Sequence, residues 1–108
     1  MKTLIVIPAR YASTRFPGKP LHPINGVSML ARTAGAAQRA GKASGARVVI
    51  ATDDERIATH AREIGVESVM TDPDLPSGTD RARAGAEKVA PDADFIVTAR
   101  RRSAAVRD

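Results

Sequence analysis

Leu4-Ile5-Val6-Ile7 is an unbroken apolar run closed by Pro8, the pattern of a strand covered on both faces. Arg47-Val48-Val49-Ile50-Ala51 repeats it, and Val66-Glu67-Ser68-Val69-Met70 and Phe95-Ile96-Val97 are further candidates. Between these runs the period becomes helical. Met29, Leu30, Thr33, Ala36, Ala37 and Ala40 recur at helical spacing, with Gly41 as a stop. Thr52-Asp53-Asp54-Glu55 has the form of a capping box ahead of Ile57, Ala61 and Ile64, and Gly65 takes the position of a helix C-terminal glycine. A third helix starts near Thr79 or Asp80, passes through Ala82, Ala86 and Val89, and stops before Pro91. Strands alternating with helices predict an α/β, Rossmann-like fold with a mainly parallel sheet and right-handed crossovers. Met29 and Met70 read as core.

In such a sheet, ligands bind beyond the carboxyl ends of the strands. Two stretches fall there, residues 8–26 after the first strand and 71–81 after the third. The first is long for a connection without structure of its own, and loops of that length are as a rule either functional or disordered.

Composition narrows the chemistry. With no Cys, disulfide scaffolds, thiolate zinc sites and cysteine nucleophiles are excluded. Two His, at 22 and 60, are too few for a His-rich metal site and receive no role. Aromatics are 3% of the chain, against the stacking platforms of single-strand nucleic-acid binders. No apolar run is long enough to span a membrane, and the expectation is a cytoplasmic protein. The net charge of +5 sits mostly in the last ten residues, which hold Arg100, Arg101, Arg102 and Arg107. That leaves the body nearly neutral, so the high isoelectric point is a poor argument for nucleic-acid binding. Charge thus divides the chain into a nearly neutral body, residues 1–98, and an Arg-rich tail, residues 99–108.

The segment from Pro8 to Leu21 holds Arg10, Arg15 and Lys19, the hydroxyls of Ser13 and Thr14, and no acid. Arg offers planar forks to phosphate oxygens and Lys a point charge. Several cations after the first strand suit a triphosphate. A solvated basic loop is the plainer alternative. Gly18-Lys19 is followed by Pro20 and lacks the earlier Gly, so this is no P-loop, and no G-x-G-x-x-G opens a helix.

Ile7-Pro8-Ala9-Arg10-Tyr11-Ala12-Ser13-Thr14-Arg15-Phe16-Pro17-Gly18-Lys19-Pro20-Leu21 resembles the N-terminal signature of the 3-deoxy-manno-octulosonate (KDO) cytidylyltransferases. The resemblance continues through Ile24-Asn25-Gly26, Val49-Ile50-Ala51-Thr52-Asp53-Asp54, Met70-Thr71 and Ser77-Gly78-Thr79-Asp80-Arg81. It implies the N-terminal part of a three-layer nucleotidyltransferase fold, the fold of nucleotide-diphospho-sugar transferases. It also implies transfer of CMP from CTP to KDO, giving CMP-KDO and pyrophosphate for lipopolysaccharide synthesis.

By the same resemblance, Arg10, Ser13, Arg15 and Lys19 hold the phosphates, with Arg10 and Lys19 acting in catalysis. Ala9, Ser77 and Gly78 border the nucleotide, and Thr79, Asp80 and Arg81 line the substrate cleft. The family uses Mg²⁺ and forms homodimers. Read from the residues alone, Asp53, Asp54 and Thr79 are helix caps and Arg81 is surface at a helix start. Two departures stand out. Leu75 replaces the family's His, and Ala99-Arg100-Arg101-Arg102 replaces the segment that carries a magnesium ligand. The expectation is therefore an incomplete copy, inactive by itself. The alternatives are a non-catalytic nucleotide- or phosphate-binding remnant and a basic nucleic-acid-associated protein.

Overall fold

The computed structural model describes residues 3–10, 23–24, 27–42, 45–75 and 78–98. Four strands form one parallel sheet: β1 (Thr3–Ala9), β4 (Arg47–Thr52), β5 (Glu67–Met70) and β6 (Phe95–Thr98). Their order across the sheet is β5-β4-β1-β6. A two-residue ladder, β2 (Pro23–Ile24) with β3 (Val27–Ser28), is antiparallel. The helices are α1 (Met29–Lys42), α2 (Glu55–Glu63) and α3 (Gly78–Val89). The α/β class, the parallel sheet and the alternation of elements agree with the sequence pattern.

The unbroken apolar runs follow from burial on both faces. Along β1, Ile5, Ile7 and Ala9 pack with Leu30, Ala34 and Ala37 of α1 and with Ile57 and Ala61 of α2. Leu4 and Val6, one residue out of phase, pack with Ala82 and Ala86 of α3. β4 divides in the same way, with Ile50 on the first face and Val49 and Ala51 on the second. The result is a three-layer sandwich with α1 and α2 on one side and α3 on the other. Pro8 does not end β1, which runs on to Ala9. Among the described residues the β6 pairing runs as far as Val6↔Thr98.

Several local expectations are corrected. α1 buries Met29, Leu30, Ala34, Ala37 and Gly41, whereas Ala36 and Ala40 are exposed. Gly41 is not a stop but a contact: a Cβ there would lie 3.0 Å from Ala46 Cβ and 3.1 Å from Ile5 Cδ1. The cap of α2 is Asp54, not Thr52. Asp54 Oδ1 accepts the Arg56 N–H at 2.8 Å, while Thr52 Oγ1 accepts the Asp54 N–H at 3.2 Å. α3 begins at Gly78, which puts Thr79 inside the helix. Met70 is 36% exposed because β5 is an edge strand. Gly65 is as expected. It has φ +76°, and Gly65 N–H→Arg62 O and Val66 N–H→Ala61 O close a Schellman motif.

His60 has a structural part in this frame. The Ser28 hydroxyl accepts the Ala31 N–H at 3.0 Å and meets His60 Nε2 at 2.6 Å, while His60 Nδ1 lies 3.1 Å from Glu63 Oε1. Glu63 can only accept when ionised, so His60 donates to it from Nδ1. The chain of bonds ties the start of α1 to α2.

Candidate functional site

The register places the strand ends in one row. Ala9 of β1 pairs with Thr52 of β4, and Thr52 with Met70 of β5. The next residues, Arg10, Asp53 and Thr71, leave the sheet together along its carboxyl rim. Ala9 is buried and Arg10 exposed, so the chain passes from core to solvent at the basic segment. Thr71 stays attached through its N–H to Thr52 O at 2.8 Å. Of the residues expected to contact nucleotide, Ser13, Arg15, Lys19 and Ser77 lie outside the described residues, as does the tail 99–108.

α3 starts beside this rim. Gly78 and Asp80 are half-buried and Thr79 is exposed. Asp80, in the first turn, suits the positive end of the helix. Arg81 is 0% exposed, so it is not helix surface. Its Nη1 donates to Thr71 Oγ1 at 2.6 Å and to the Asp72 carbonyl at 3.2 Å. Asp53 Oδ2 stands 3.7 Å from Nη2, and among the described residues Nε and Nη2 find no hydrogen-bond partner. The loop beyond β5 turns about Asp72, whose Oδ1 accepts the Asp74 N–H at 2.8 Å and whose carbonyl accepts the Leu75 N–H at 3.4 Å.

The two adjacent carboxylates therefore differ. Asp54 caps α2 and pairs with the Arg56 guanidinium, Nε to Oδ1 at 3.0 Å and Nη2 to Oδ2 at 2.8 Å. The Arg56 side chain holds the Asp54 carboxyl below its ordinary pKa, and the Arg56 backbone N–H adds to this against a smaller opposing effect of burial. Asp53 faces the buried Arg81 instead. Sequence reasoning grouped both as caps and missed Thr71 as the acceptor for Arg81. A signal was present, since an Arg three residues after the Gly that opens a helix opposes the dipole and needs a counter-charge.

Among the described residues no cluster of three or more His, Asp or Glu could hold an ion. Asp53 is matched by Arg81 and Asp54 by Arg56, so neither is an open hard-oxygen ligand of the kind Mg²⁺ takes. The described residues do not fit the ion. No described helix is long and apolar enough to cross a membrane.

The sequence matches the family model described as cytidylyltransferase over residues 4–101. A 3-deoxy-manno-octulosonate cytidylyltransferase of Chromohalobacter salexigens is 50% identical over 94 residues, covering 87% of this chain and 35% of that protein. One of Maricaulis maris is 47% identical over 97 residues, covering 90% and 37%. An 8-amino-3,8-dideoxy-manno-octulosonate cytidylyltransferase of a Shewanella species is 50% identical over 82 residues, covering 75% and 32%. Among solved structures, CMP:2-keto-3-deoxy-manno-octonic acid synthetase complexed with CTP superposes with a TM-score of 0.81 at 40% identity. That match covers 99% of this chain and 43% of the other. The chain thus spans about a third of the length of the curated relatives it matches.

Proposed function

This chain belongs to the cytidylyltransferase family, and from that premise we propose that it is the nucleotide-binding portion of an enzyme that transfers CMP from CTP to KDO. One observation carries the reading: nearly the whole chain superposes on a synthetase that holds CTP. In this reading the exposed Arg10, with Ser13, Arg15 and Lys19, holds the triphosphate. Ala9, Ser77 and Gly78 border the nucleotide, Thr79 and Asp80 line the substrate cleft, and Arg81, which has no exposed surface, supports that lining from within. The anomeric hydroxyl of the sugar acid gives up its proton to solvent as its oxygen bonds to the α-phosphorus, the bond from that phosphorus to the bridging oxygen breaks, and pyrophosphate leaves. Arg10 and Lys19 offset charge on the phosphates as it shifts toward the leaving group. The described residues offer Mg²⁺ no site, and no step is assigned to it.

The Shewanella relative is as similar as those named for KDO, which makes an 8-amino sugar the alternative acceptor. A cytoplasmic enzyme supplying lipopolysaccharide synthesis, homodimeric as a whole, belongs to the same proposal. A portion that binds nucleotide without turnover is the second reading, favoured by the arginines that face Asp53 and Asp54.

Calorimetry on the 108-residue chain tests the nucleotide assignment. Affinity is expected to fall in the order CTP, CDP, CMP, because each phosphate removed takes charge-assisted contacts with it. Lys19→Ala and Arg10→Ala each remove one such contact and weaken CTP binding by roughly 1.5–3 kcal/mol. Equal affinities for the three nucleotides, unchanged in both variants, would reduce the basic segment to surface.

A further inference from the structure

The two edges of the sheet are guarded differently. β5 carries charge: Glu67 at its start pairs with Arg47, and Lys88 Nζ donates to the Met70 carbonyl at 2.8 Å. β6 (Phe95-Ile96-Val97-Thr98) has neither charge nor Pro, the usual devices that blunt an edge, and among the described residues nothing pairs with its outer side. Its charges flank it instead. Asp92 and Asp94, both exposed, precede the strand, and Arg100, Arg101 and Arg102 follow it in sequence. We propose that β6 is a self-association edge whose occupant is the β6 of a second copy of this chain, paired antiparallel about Val97. The proposal does not depend on the nucleotide reading.

Hydrogen bonding limits the registers. Along β6 every second residue turns its N–H and C=O away from β1. In an antiparallel ladder, opposite residues either exchange both bonds or exchange none. Two identical strands related by a two-fold axis therefore set one residue opposite its own copy. With Ile96 at the axis, Asp92 falls level with Arg100 of the second copy, but Asp94 falls level with Thr98. With Val97 at the axis, Asp94 falls level with Arg100 and Asp92 with Arg102, and the axis repeats both pairs on the other side. Only the second register matches both acids to arginines. Chain position alone sets this correspondence, since Arg100 and Arg102 lie outside the described residues. Ile96 and Val97 are both exposed and lie on opposite faces of the strand, so the pairing covers apolar surface on each face.

The chain has no Cys, so a single introduced thiol reports on a single position. Opposite residues stand about 4.5–5.5 Å apart and diagonal ones about 7–8 Å, and a disulfide spans only the shorter separation. With oxidised glutathione as oxidant, Val97→Cys is expected to form a disulfide-linked dimer about tenfold faster than Ile96→Cys, whose own copy lies diagonal to it. Sedimentation tests the flanking charges, with circular dichroism to confirm folding. Asp92→Arg combined with Asp94→Arg, and Arg100→Asp combined with Arg102→Asp, each set like charges level with one another. Each double variant should weaken self-association by about tenfold or more. An equimolar mixture of the two restores every pair and should associate at least as well as the parent. Cross-linking at Ile96→Cys as fast as at Val97→Cys would overturn the pairing about Val97. Charge variants that associate like the parent, a mixture that stays dissociated, or a parent that is monomeric at every concentration would each overturn the proposal.

Discussion

Asp53 and Asp54 are neighbours in sequence with different work, and the difference is set by partners that sequence does not display. Asp54 was legible as a cap because its acceptor geometry is local, reaching the Arg56 N–H two residues on. Asp53 meets its partner only after the chain has crossed the sheet and started α3, and no local pattern reports that. The Asp54 cap has a measurable pH signature. Its carboxyl titrates below the ordinary value, chiefly because the Arg56 side chain bonds the ionised form. A depressed folded-state pKa contributes stability that is present above the unfolded value and lost as pH falls through the folded one. Urea midpoints should therefore drop more steeply on acidification in the parent than in Asp54→Asn, which keeps an acceptor oxygen but cannot titrate. Asp54→Ala loses the cap as well and should cost about 1 kcal/mol at neutral pH. Identical acid slopes for parent and Asp54→Asn would show that the pair with Arg56 contributes nothing. The exposed pair Arg47 with Glu67, which also lowers the Glu67 carboxyl, remains in all three proteins.

At the scale of elements, strands and helices were readable because each long run has one period, whereas faces and short ladders were not. α1 carries Ala31, Ala34, Ala36, Ala37 and Ala40, so alanine lies on every side and the apolar contrast that marks a face is weak. The β2–β3 ladder is too short for an alternating pattern, although Asn25-Gly26 between its strands is a hairpin signal that could have found it. The glycines inside helices make the packing testable. At Gly85 a Cβ would stand 2.9 Å from Ala51 Cβ and 3.1 Å from Val69 Cγ1, because α3 presses on β4 and β5 there. At Gly35 its nearest contact would be the mobile end of Arg39, at 3.4 Å. Gly→Ala gains about 1 kcal/mol of helix propensity at either site. At Gly85 overpacking of about 1–3 kcal/mol opposes that gain. Thermal melts should show Gly35→Ala raising Tm and Gly85→Ala lowering it. A rise in both would mean that α3 yields to the extra methyl without loss.

For the whole molecule, the sheet is finished at its centre and unfinished at its side. β1 and β4 have neighbours on both edges and helices on both faces, whereas among the described residues β6 pairs only with β1. Ile96 and Val97 point to opposite faces of β6, as successive strand residues must, and are 46% and 48% exposed. Both faces of that edge are therefore open to water, a combination that favours association. Sedimentation over a range of concentrations should show self-association of the parent that weakens in Val97→Lys, with little change in Tm. Association unaffected by the lysine would locate it elsewhere. The strand order also bears on how the chain reaches its fold. β1 takes its two partners from distant parts of the sequence: Leu4 lies beside Arg47, and Thr3 beside Phe95. On a ribosome β1 emerges first, waits through α1 for β4, and waits through α2, β5 and α3 for β6. Such pairing across the chain is slow, because loop closure must be met before the contacts that reward it can form. β1 with α1 and β4 can gather early as a nucleus, while the β1 edge meant for β6 stays open until almost everything described has been synthesised. A strand that ends at the centre of the sheet is thus the one most in need of protection while the protein is being made.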